Sequence, residues 1–378
     1  MKKKFNILQV TGYLEMGVLE TLIVEICKSI NREKFNIQVL CLIHYDLIYK
    51  ENLNRKGIPV YLMRKNGRLD LSFFRKFINF IKDKKIDLIH THSGCLFNSA
   101  ICGQLSGLKG IIYTAHGLPI KTDLKSTIED TIASLMVDRI IAVSDEIKDD
   151  LRKRLPLSQN KISLISNGVD TTIFLPVQDQ NTINEVKKTY QIPLDKKIIG
   201  TVGRLEKIKN YDMLIQCFRK VIENYGYIAH LVFIGDGSER ESLKALVRKL
   251  DLIENISFLG TQYNLYNIIT IFDIFTISSF SEGMSIALLE AQSCGIPAVV
   301  TNVGGNSKII KNNHNGFLCQ SNNPDDMYRK ISMLLDDSHI QKKLGQNARN
   351  TVVNHFDLHV MVRSYEDIYQ KILSKSHR

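Results

Sequence analysis

The sequence lacks the features that mark several classes of protein. Its seven cysteines are odd in number and include no C-x-x-C pair, which argues against a disulfide or zinc framework and predicts reduced core residues of a cytosolic protein. It contains no apolar run long enough to span a bilayer, no internal repeat and no low-complexity tract. With 378 residues and 44% hydrophobic content, the chain is long enough for two globular domains.

Several nucleotide-binding signatures are also missing. No G-x-x-x-x-G-K-[ST] segment occurs, which excludes a P-loop kinase. No segment fits G-x-G-x-x-G followed by a ribose-binding acid about twenty residues on, which argues against a dehydrogenase. No D-x-D pair is present to hold a divalent cation. An enzyme of this sequence that handles a diphosphate would therefore have to neutralise it with protein cations.

Strand and helix patterns alternate along most of the chain. Helical patterns include Leu19–Ile30 and Leu71–Lys84. Strands are predicted at Phe5–Val10, Ile37–Ile43, Pro59–Met63, Asp87–His90, Ile111–Thr114, Arg139–Val143, Ile162–Ile165, Lys197–Val202, His230–Ile234, Asn255–Leu259, Ile274–Ser278 and Ala298–Val300. The first strand follows the basic N-terminus directly, and we interpret it as a buried strand and not as a signal peptide. The pattern predicts an α/β protein with two doubly wound parallel sheets.

The predicted domains are separated by a polar passage. Residues 176–196 break the apolar pattern and are predicted to be a linker. We assign residues 1–175 to an N-terminal domain, 197–358 to a C-terminal domain, and 359–378 to a final helix that packs back toward the N-terminal domain. Ligands of open parallel sheets bind beyond the carboxyl ends of the strands, so a ligand cleft between the two domains is expected.

Two segments of the second half carry candidate binding groups. Glu282 and Glu290 lie eight positions apart around Gly283, and a helix is predicted over Met284–Ala291. The start of such a helix attracts phosphate, and the candidate contacts there are Gly283, Met284, Ser285 and Ile286. Any isolated pair of glutamates at this spacing is more often solvated.

The other segment follows a predicted strand and begins at Gly203. Arg204 and Lys209 are candidates to bind a diphosphate through charge-assisted hydrogen bonds. The alternative is that both are solvated residues of a lysine-rich loop.

Together these segments resemble the retaining glycosyltransferases of family 4, which have the GT-B fold. Glu282 and Glu290 resemble the family's E-x7-E motif, and the segment 203–209 resembles its G-R-x-x-x-x-K. Asn167-Gly168-Val169-Asp170 resembles its N-G-V-D turn, and Gly304-Gly305 with Asn315-Gly316-Phe317-Leu318 resembles its G-G and N-G-F-L pair. The order and spacing of these short motifs, over almost the whole chain, carry the resemblance.

The resemblance implies two Rossmann-like domains facing across a cleft, and a nucleotide diphosphate sugar as donor with no metal or other cofactor. It implies that Arg204 and Lys209 contact the donor phosphates. It also implies that Glu290 contacts the ribose hydroxyls and Glu282 those of the donor sugar. Whether Glu282 acts as a nucleophile or the leaving phosphate assists a front-face route stays open.

Histidines of the first half are further candidates. A lone histidine is more often structural, but the family's T-x-H segment implies that His116 lies near the outer hydroxyls of the donor sugar. His90 and His92 share one face of a strand without a third ligand in view, so we predict that they line the acceptor side and do not bind a metal.

Two departures from the family pattern keep other functions open. The first glycine loop offers only Gly17 where the family has adjacent glycines, and Asn306-Ser307-Lys308 stands where the family commonly has a glutamate. A nucleotide-sugar epimerase or hydrolase of the same fold, or a catalytically silent binding protein, are the alternatives.

The net charge of +11 is concentrated in one region. Residues 55–85 hold ten basic and two acidic side chains, a local charge of +8. The segment 64–85 predicts either a helix that buries Phe73, Phe77 and Ile81 beneath a solvated basic face, or peripheral contact with an anionic membrane. No nucleic-acid-binding motif accompanies the charge, so a nucleic-acid partner is not expected.

The resemblance implies transfer of a hexose or N-acetylhexosamine, with a UDP-sugar as the favoured donor, to a glycan or lipid-linked acceptor. Assembly of a surface polysaccharide, such as capsule or lipopolysaccharide, is the expected setting. The expected location is the cytoplasm, with association at the cytoplasmic face of the membrane as a further expectation.

Overall fold

The computed structural model describes residues 4–15, 18–65, 70–117, 124–262 and 264–375. The chain divides into two compact units, the first formed by Met1–Asn167 with Leu358–Arg378 and the second by Gly168–Asp357. In each unit the described strands form one parallel sheet with helices in the connections between them.

The first unit contains a seven-stranded sheet in the order β3-β2-β1-β4-β5-β6-β7. Its strands are β1 (Phe5–Leu14), β2 (Phe35–Tyr45), β3 (Val60–Leu62), β4 (Leu88–His92), β5 (Gly110–Ala115), β6 (Arg139–Ala142) and β7 (Ile162–Leu164). The helices between them are α1 (Val18–Ser29), α2 (Leu47–Arg55), α3 (Leu71–Asp83), α4 (Leu96–Leu105), α5 (Leu124–Met136) and α6 (Asp145–Arg154).

The second unit contains a six-stranded sheet in the order β10-β9-β8-β11-β12-β13. Its strands are β8 (Lys197–Val202), β9 (Ala229–Ile234), β10 (Ile256–Phe258), β11 (Ile274–Ile277), β12 (Ala298–Thr301) and β13 (Phe317–Cys319). Its helices are α7 (Gln180–Thr189), α8 (Tyr211–Tyr225), α9 (Arg240–Lys249), α10 (Leu265–Ile269), α11 (Ile286–Ser293), α12 (Asn306–Ile309), α13 (Pro324–Asp336) and α14 (Ser338–His355).

The predicted strands are confirmed, and the burial of the sheets explains why they were readable. Every residue of β9, β11 and β12 is buried, as expected for parallel strands covered on both faces. The sequence prediction omitted β13, a strand of three residues. The seven cysteines are free and buried, as predicted.

The helix α3 shows how one amphipathic helix takes its place on the first sheet. The side chain of Asp70 caps it by accepting a hydrogen bond from the Phe73 N–H. Phe73, Phe77 and Ile81 form the predicted stripe and are buried. This stripe is therefore committed to the core of the first unit.

The boundary between the units differs from the predicted one. It falls between Asn167 and Gly168, before the predicted linker at 176–196. That passage contains α7, whose side-chain cap is Asp179, and the buried Lys187 donates to two backbone carbonyls of the following turn. A short amphipathic helix with many polar residues was mistaken for a linker.

The final helix, α15 (Leu358–Lys375), clusters with the first unit. Glu366 accepts a hydrogen bond from the Asn31 N–H at 2.6 Å. Tyr365 and Tyr369 are buried, and Ile372 packs over Gly110 of β5 so closely that a β-carbon there would collide with it. Because Gly110 has no side chain, α15 can pack against this face of the first sheet.

Replacing Gly110 with alanine should therefore weaken the packing of α15. We expect Gly110→Ala to lower the free energy of unfolding by about 1–3 kcal/mol, the usual cost of overpacking a core. Gly117→Ala is the matched control, because no described residue lies within 4 Å of a β-carbon at that exposed position, and it should change stability by less than about 0.5 kcal/mol. Chemical denaturation compares the two, and equal effects would contradict the packing role.

Candidate active site

The candidate site of the second unit lies where the strand order of its sheet reverses. β8 pairs with β9 on one side and with β11 on the other, so the connections that leave β8 and β11 diverge. Doubly wound sheets bind their ligands in the crevice at this point, beyond the carboxyl ends of the strands. The segments at this position are Gly203–Asn210 after β8 and Ser278–Ser285 after β11.

An ion pair joins these two segments. Lys209 Nζ lies 2.7 Å from Glu282 Oε1, and the Ser279 hydroxyl donates to the same oxygen at 2.6 Å. The two charged side chains are 22% and 10% exposed, so their charges are only weakly screened by solvent. The structure thus brings together two residues that the sequence placed in separate motifs, and it adds Ser279, which the sequence did not reveal.

Backbone contacts hold the ion pair in place. Lys207–Lys209 form a single 3-10 turn, and Asn210 then takes a left-handed conformation with φ of 49° before α8 begins. The Ser278 hydroxyl donates to the Lys209 carbonyl at 2.8 Å, and the Phe280 N–H donates to the Ile208 carbonyl at 2.9 Å. The loop after β8 is therefore held to the loop after β11 by one main-chain hydrogen bond and one serine hydroxyl bond, as well as by charge.

Glycines allow these loops to approach each other closely. A β-carbon on Gly203 would lie 2.8 Å from the Tyr211 hydroxyl, and one on Gly235 would overlap the Gly203 carbonyl. The Gly305 N–H donates to the Gly283 carbonyl at 2.9 Å, which places the Gly304-Gly305 turn directly against the segment that carries Glu282. A side chain at Gly203, Gly235 or Gly305 would push the loops apart.

The helix after Glu282 begins later than predicted. α11 starts at Ile286, because the hydroxyl of Ser285 accepts a hydrogen bond from the Leu288 N–H and makes Ser285 its N-cap. Gly283 and Met284 therefore precede the helix. The first-turn N–H groups available to an anion are those of Ile286 and Ala287, since the Leu288 N–H is already capped.

Glu290 is a buried residue and not part of a surface helix. All of α11 is buried, and Glu290 is 5% exposed. Burial raises the pKa of its carboxyl group to about 8. At neutral pH this group is therefore mainly an uncharged acid, which can both donate and accept a hydrogen bond.

Arg204 lies at the surface of the loop that contains Lys209. Its side chain is exposed, as is that of Lys207 in the same loop. Among the described residues, no carboxylate pairs with Arg204. Its positive charge is therefore available to a ligand at this edge of the sheet.

The histidines belong to the first unit and form a group of their own. His90 and His92 are 0% exposed, so the prediction that they line an acceptor surface is wrong. His92 Nδ1 lies 3.0 Å from His116 Nε2, and His116 is partly exposed just beyond β5. The alternation of side chains along a strand correctly predicted that His90 and His92 share one face of β4, but α15 covers that face of the sheet.

The remaining candidate, Gly17, lies outside the described residues.

Two further properties of the described residues concern metals and membranes. No group of three or more His, Cys, Asp or Glu side chains in the described ranges is arranged to hold a metal ion. Within the same part of the chain, no helix is both long and apolar enough to cross a membrane.

Solved structures share the fold of the whole chain. A glycosyltransferase from Rickettsia africae matches with a TM-score of 0.84 at 22% identity, covering 98% of this chain and 99% of that one. Anabaena HepE, solved in complex with UDP-glucose, matches with a TM-score of 0.83 at 18% identity and covers 97% and 99% of the two chains. The two parallel-sheet units thus have the GT-B fold, as predicted.

Sequence comparisons define the family. The model of Glycosyltransferase Family 4 matches residues 19–173, and that of Glycosyl transferases group 1 matches residues 182–351. An Escherichia coli UDP-Gal:alpha-D-GlcNAc-diphosphoundecaprenol alpha-1,3-galactosyltransferase is 29% identical over 351 residues, 89% of each chain. The N-acetyl-alpha-D-glucosaminyl L-malate synthase of Bacillus anthracis is 26% identical over 316 residues, 80% of each. The chain belongs to the family 4 glycosyltransferases and is an enzyme of that class.

The raised pKa of Glu290 predicts a pH dependence of stability. A carboxyl group that is protonated more readily in the folded state stabilises the fold at low pH, and this contribution is lost as pH rises from about 4.5 to about 8. The loss amounts to several kcal/mol, since each pKa unit corresponds to about 1.4 kcal/mol. Glu290→Gln keeps the shape without the titration, so its stability should exceed that of the wild type increasingly toward pH 8. Denaturation at pH 5 and pH 8 measures this, and a constant difference between the two proteins would contradict it.

Proposed function

We propose that this enzyme transfers a hexose or N-acetylhexosamine from a UDP-sugar to a glycan or lipid-linked acceptor during assembly of a surface polysaccharide. In this proposal the configuration at the anomeric carbon is retained and no metal ion takes part. The observation that carries the proposal is the Lys209–Glu282 ion pair at the switch point of the second sheet.

The ion pair offers binding groups to both parts of a nucleotide sugar. An ammonium group has three N–H donors, and Lys209 uses one of them for Glu282. The remaining two are suited to the oxygens of a diphosphate. Glu282 Oε1 already accepts from Lys209 and Ser279, which leaves Oε2 for a hydroxyl group of the sugar.

The charge of the departing diphosphate is neutralised by protein cations in this proposal. Lys209 and the exposed Arg204 belong to one loop at the end of β8. Negative charge grows on the diphosphate as the bond to the sugar breaks, so these cations would stabilise the transition state more than the bound substrate. The N–H groups of Ile286 and Ala287 at the start of α11 add donors of the same polarity.

The environment of Glu282 supports an orienting role. Two donors hold its Oε1, and such bonds stabilise the carboxylate and reduce its strength as a nucleophile. We therefore favour a front-face route, in which the leaving phosphate receives the proton of the acceptor hydroxyl and Glu282 positions the sugar. Glu290, as an uncharged acid, is suited to pair with both hydroxyls of the ribose.

Relatives support the choice of donor and acceptor. The Escherichia coli relative is named for UDP-Gal as donor and alpha-D-GlcNAc-diphosphoundecaprenol as acceptor. A Staphylococcus aureus relative, 28% identical over 86% of this chain and 93% of its own, is named as a capsular polysaccharide biosynthesis glycosyltransferase. The HepE structure contains UDP-glucose. These names support a UDP-sugar and a role in surface polysaccharide assembly.

Thermal shift with UDP-sugars and turnover assays test the proposal together. A ligand of the folded state raises the melting temperature with its concentration. Lys209→Ala removes a charge-assisted bond worth about 1.5–3 kcal/mol, so UDP binding should weaken roughly 10- to 100-fold. Turnover should fall by about 10²–10³, the effect of losing one transition-state donor.

Lys207→Ala is the matched control, because Lys207 is an exposed cation two residues away in the same turn. It should leave UDP binding and turnover within about twofold. Equal losses of UDP binding and turnover in the two variants would mean that Lys209 acts only through general surface charge, which would contradict the proposal. Release of free sugar with no transfer to any acceptor would instead indicate a hydrolase.

We also propose that the basic segment 64–85 contacts anionic lipid mainly by charge. The apolar stripe of α3 is buried, and Lys65 Nζ lies 5.2 Å from the centre of the half-buried Phe74 ring. Leu71, at the first position of α3, is a strongly exposed apolar side chain, and a single such residue offers little area for insertion. Arg75 and Lys76 are exposed on the opposite face. Residues 66–69 of the segment lie outside the described residues.

Vesicle co-sedimentation tests this contact. Binding to phosphatidylglycerol vesicles should disappear at high salt, and Arg75→Ser with Lys76→Ser should weaken it roughly tenfold or more, at about 1 kcal/mol for each cation near the surface. Lys342→Ser with Lys343→Ser, an exposed pair on α14, is the control and should bind like the wild type. Salt-resistant binding, or equal weakening by the two double substitutions, would contradict the proposal.

A further inference from the structure

A chain of hydrogen-bonded side chains crosses the covered face of the first sheet. It begins on α15 at Tyr369, passes through Gln9 of β1 and His92 of β4, and ends at His116 beyond β5. The first three members are 0% exposed and the last is partly exposed. The chain therefore connects the C-terminal helix to the one candidate histidine that a ligand can reach.

Each link has the length of an ordinary hydrogen bond. Gln9 Nε2 lies 3.1 Å from the Tyr369 hydroxyl, and Gln9 Oε1 lies 2.9 Å from His92 Nε2. His92 Nδ1 lies 3.0 Å from His116 Nε2. A second branch leaves the Tyr369 hydroxyl and reaches His90 Nδ1 at 2.7 Å.

The direction of the bonds follows from the single proton of Tyr369. A phenol is a much stronger acid than the N–H of a neutral imidazole, so in the short contact Tyr369 donates and His90 Nδ1 accepts. His90 then carries its proton on Nε2 and donates to the Thr114 hydroxyl at 2.8 Å. The oxygen of Tyr369 is left to accept from the amide N–H of Gln9.

This direction passes along the chain to His116. With its NH₂ group committed to Tyr369, Gln9 presents Oε1 to His92, so His92 carries its proton on Nε2 and accepts on Nδ1. His116 must then donate from Nε2. Its Nδ1 is left without a proton and accepts hydrogen bonds.

The rings are uncharged, as this assignment requires. Burial lowers the pKa of both His90 and His116 to about 3, and burial together with the neighbouring histidines holds the pKa of His92 well below its usual value. At neutral pH each ring therefore has one N–H donor and one acceptor, and fixing one bond fixes the tautomer.

We propose that Tyr369 and Gln9 are positioning residues that hold His116 as its Nε2–H tautomer, so that Nδ1 accepts a hydrogen bond from a hydroxyl group of the sugar substrate. The inference rests on the function proposed above and adds the residues that set the tautomer of His116. If the direction of these hydrogen bonds were reversed, Nδ1 of His116 would be a donor. The sugar hydroxyl would then have to accept a hydrogen bond from it instead of donating one.

A pair of tyrosines on α15 provides a matched test. Tyr369→Phe removes the hydroxyl that orients Gln9. Tyr365→Phe removes a buried hydroxyl whose hydrogen-bond partner among the described residues is Thr114, at 3.4 Å. Nitrogen NMR of ring-labelled histidine identifies the tautomer without any substrate, with the His116 signals assigned through His116→Gln. We expect a single Nε2–H tautomer in the wild type and in Tyr365→Phe, and a mixture of tautomers in Tyr369→Phe.

Turnover provides the second measurement. With the donor that the wild type uses, Tyr369→Phe should lower kcat/KM about fivefold or more, and Tyr365→Phe should stay within about twofold. Gln9→Met breaks the chain one step nearer to His116 and should reproduce the effects of Tyr369→Phe, which covers the case in which that variant folds poorly. Melting temperatures of all variants show whether a loss of turnover comes from reduced stability or from the changed tautomer of His116.

Three results would overturn the inference: an Nδ1–H or mixed state of His116 in the wild type, an unchanged tautomer in both Tyr369→Phe and Gln9→Met, or equal losses of turnover in the two tyrosine variants. A wild type that transfers no sugar would overturn the proposed function. In that case the substrate-free NMR result would still decide whether Tyr369 and Gln9 set the tautomer of His116.

Discussion

The ion pair between Lys209 and Glu282 is the interaction on which the candidate site depends. It joins the segments that follow β8 and β11, which diverge at the point where the sheet reverses its strand order. Two partly buried charges are stable there only because each compensates the other and the Ser279 hydroxyl adds a further bond. The same arrangement leaves donors on the ammonium and an acceptor on the carboxylate, so the bond that organises the loops also presents groups suited to a charged sugar nucleotide.

The fold could be predicted from the sequence to the extent that local patterns determine it. Buried parallel strands appear as apolar runs, and those runs gave both sheets apart from β13. The linker prediction failed at α7, a helix whose exposed positions are mostly polar. The packing of α15 on the first sheet depends on Gly110, because Ile372 occupies the space that a side chain at this position would need. The two residues are more than 250 positions apart in sequence, so no local pattern predicts their contact.

The identity of the site residues could be predicted where they belong to a sequence motif. Their burial, protonation and bonding partners could not, because these depend on how the elements pack. The motifs identified Lys209 and Glu282 but not their direct bond, which links positions 73 residues apart. The burial that makes Glu290 an uncharged acid arises from the elements packed around α11, and the same kind of covering removed His92 from any surface. Gln9 and Tyr369 lie 360 residues apart, so only the folded chain shows that they meet.

The most direct test of the central claim is a crystal structure of the protein with UDP. We expect the diphosphate to lie beside the end of β8, with an oxygen about 3 Å from Lys209 Nζ and the guanidinium of Arg204 turned toward it. The ribose should lie against Glu290. A complex in which UDP binds with Lys209 still paired only to Glu282, and with the diphosphate away from this loop, would show that the ion pair does not bind the donor.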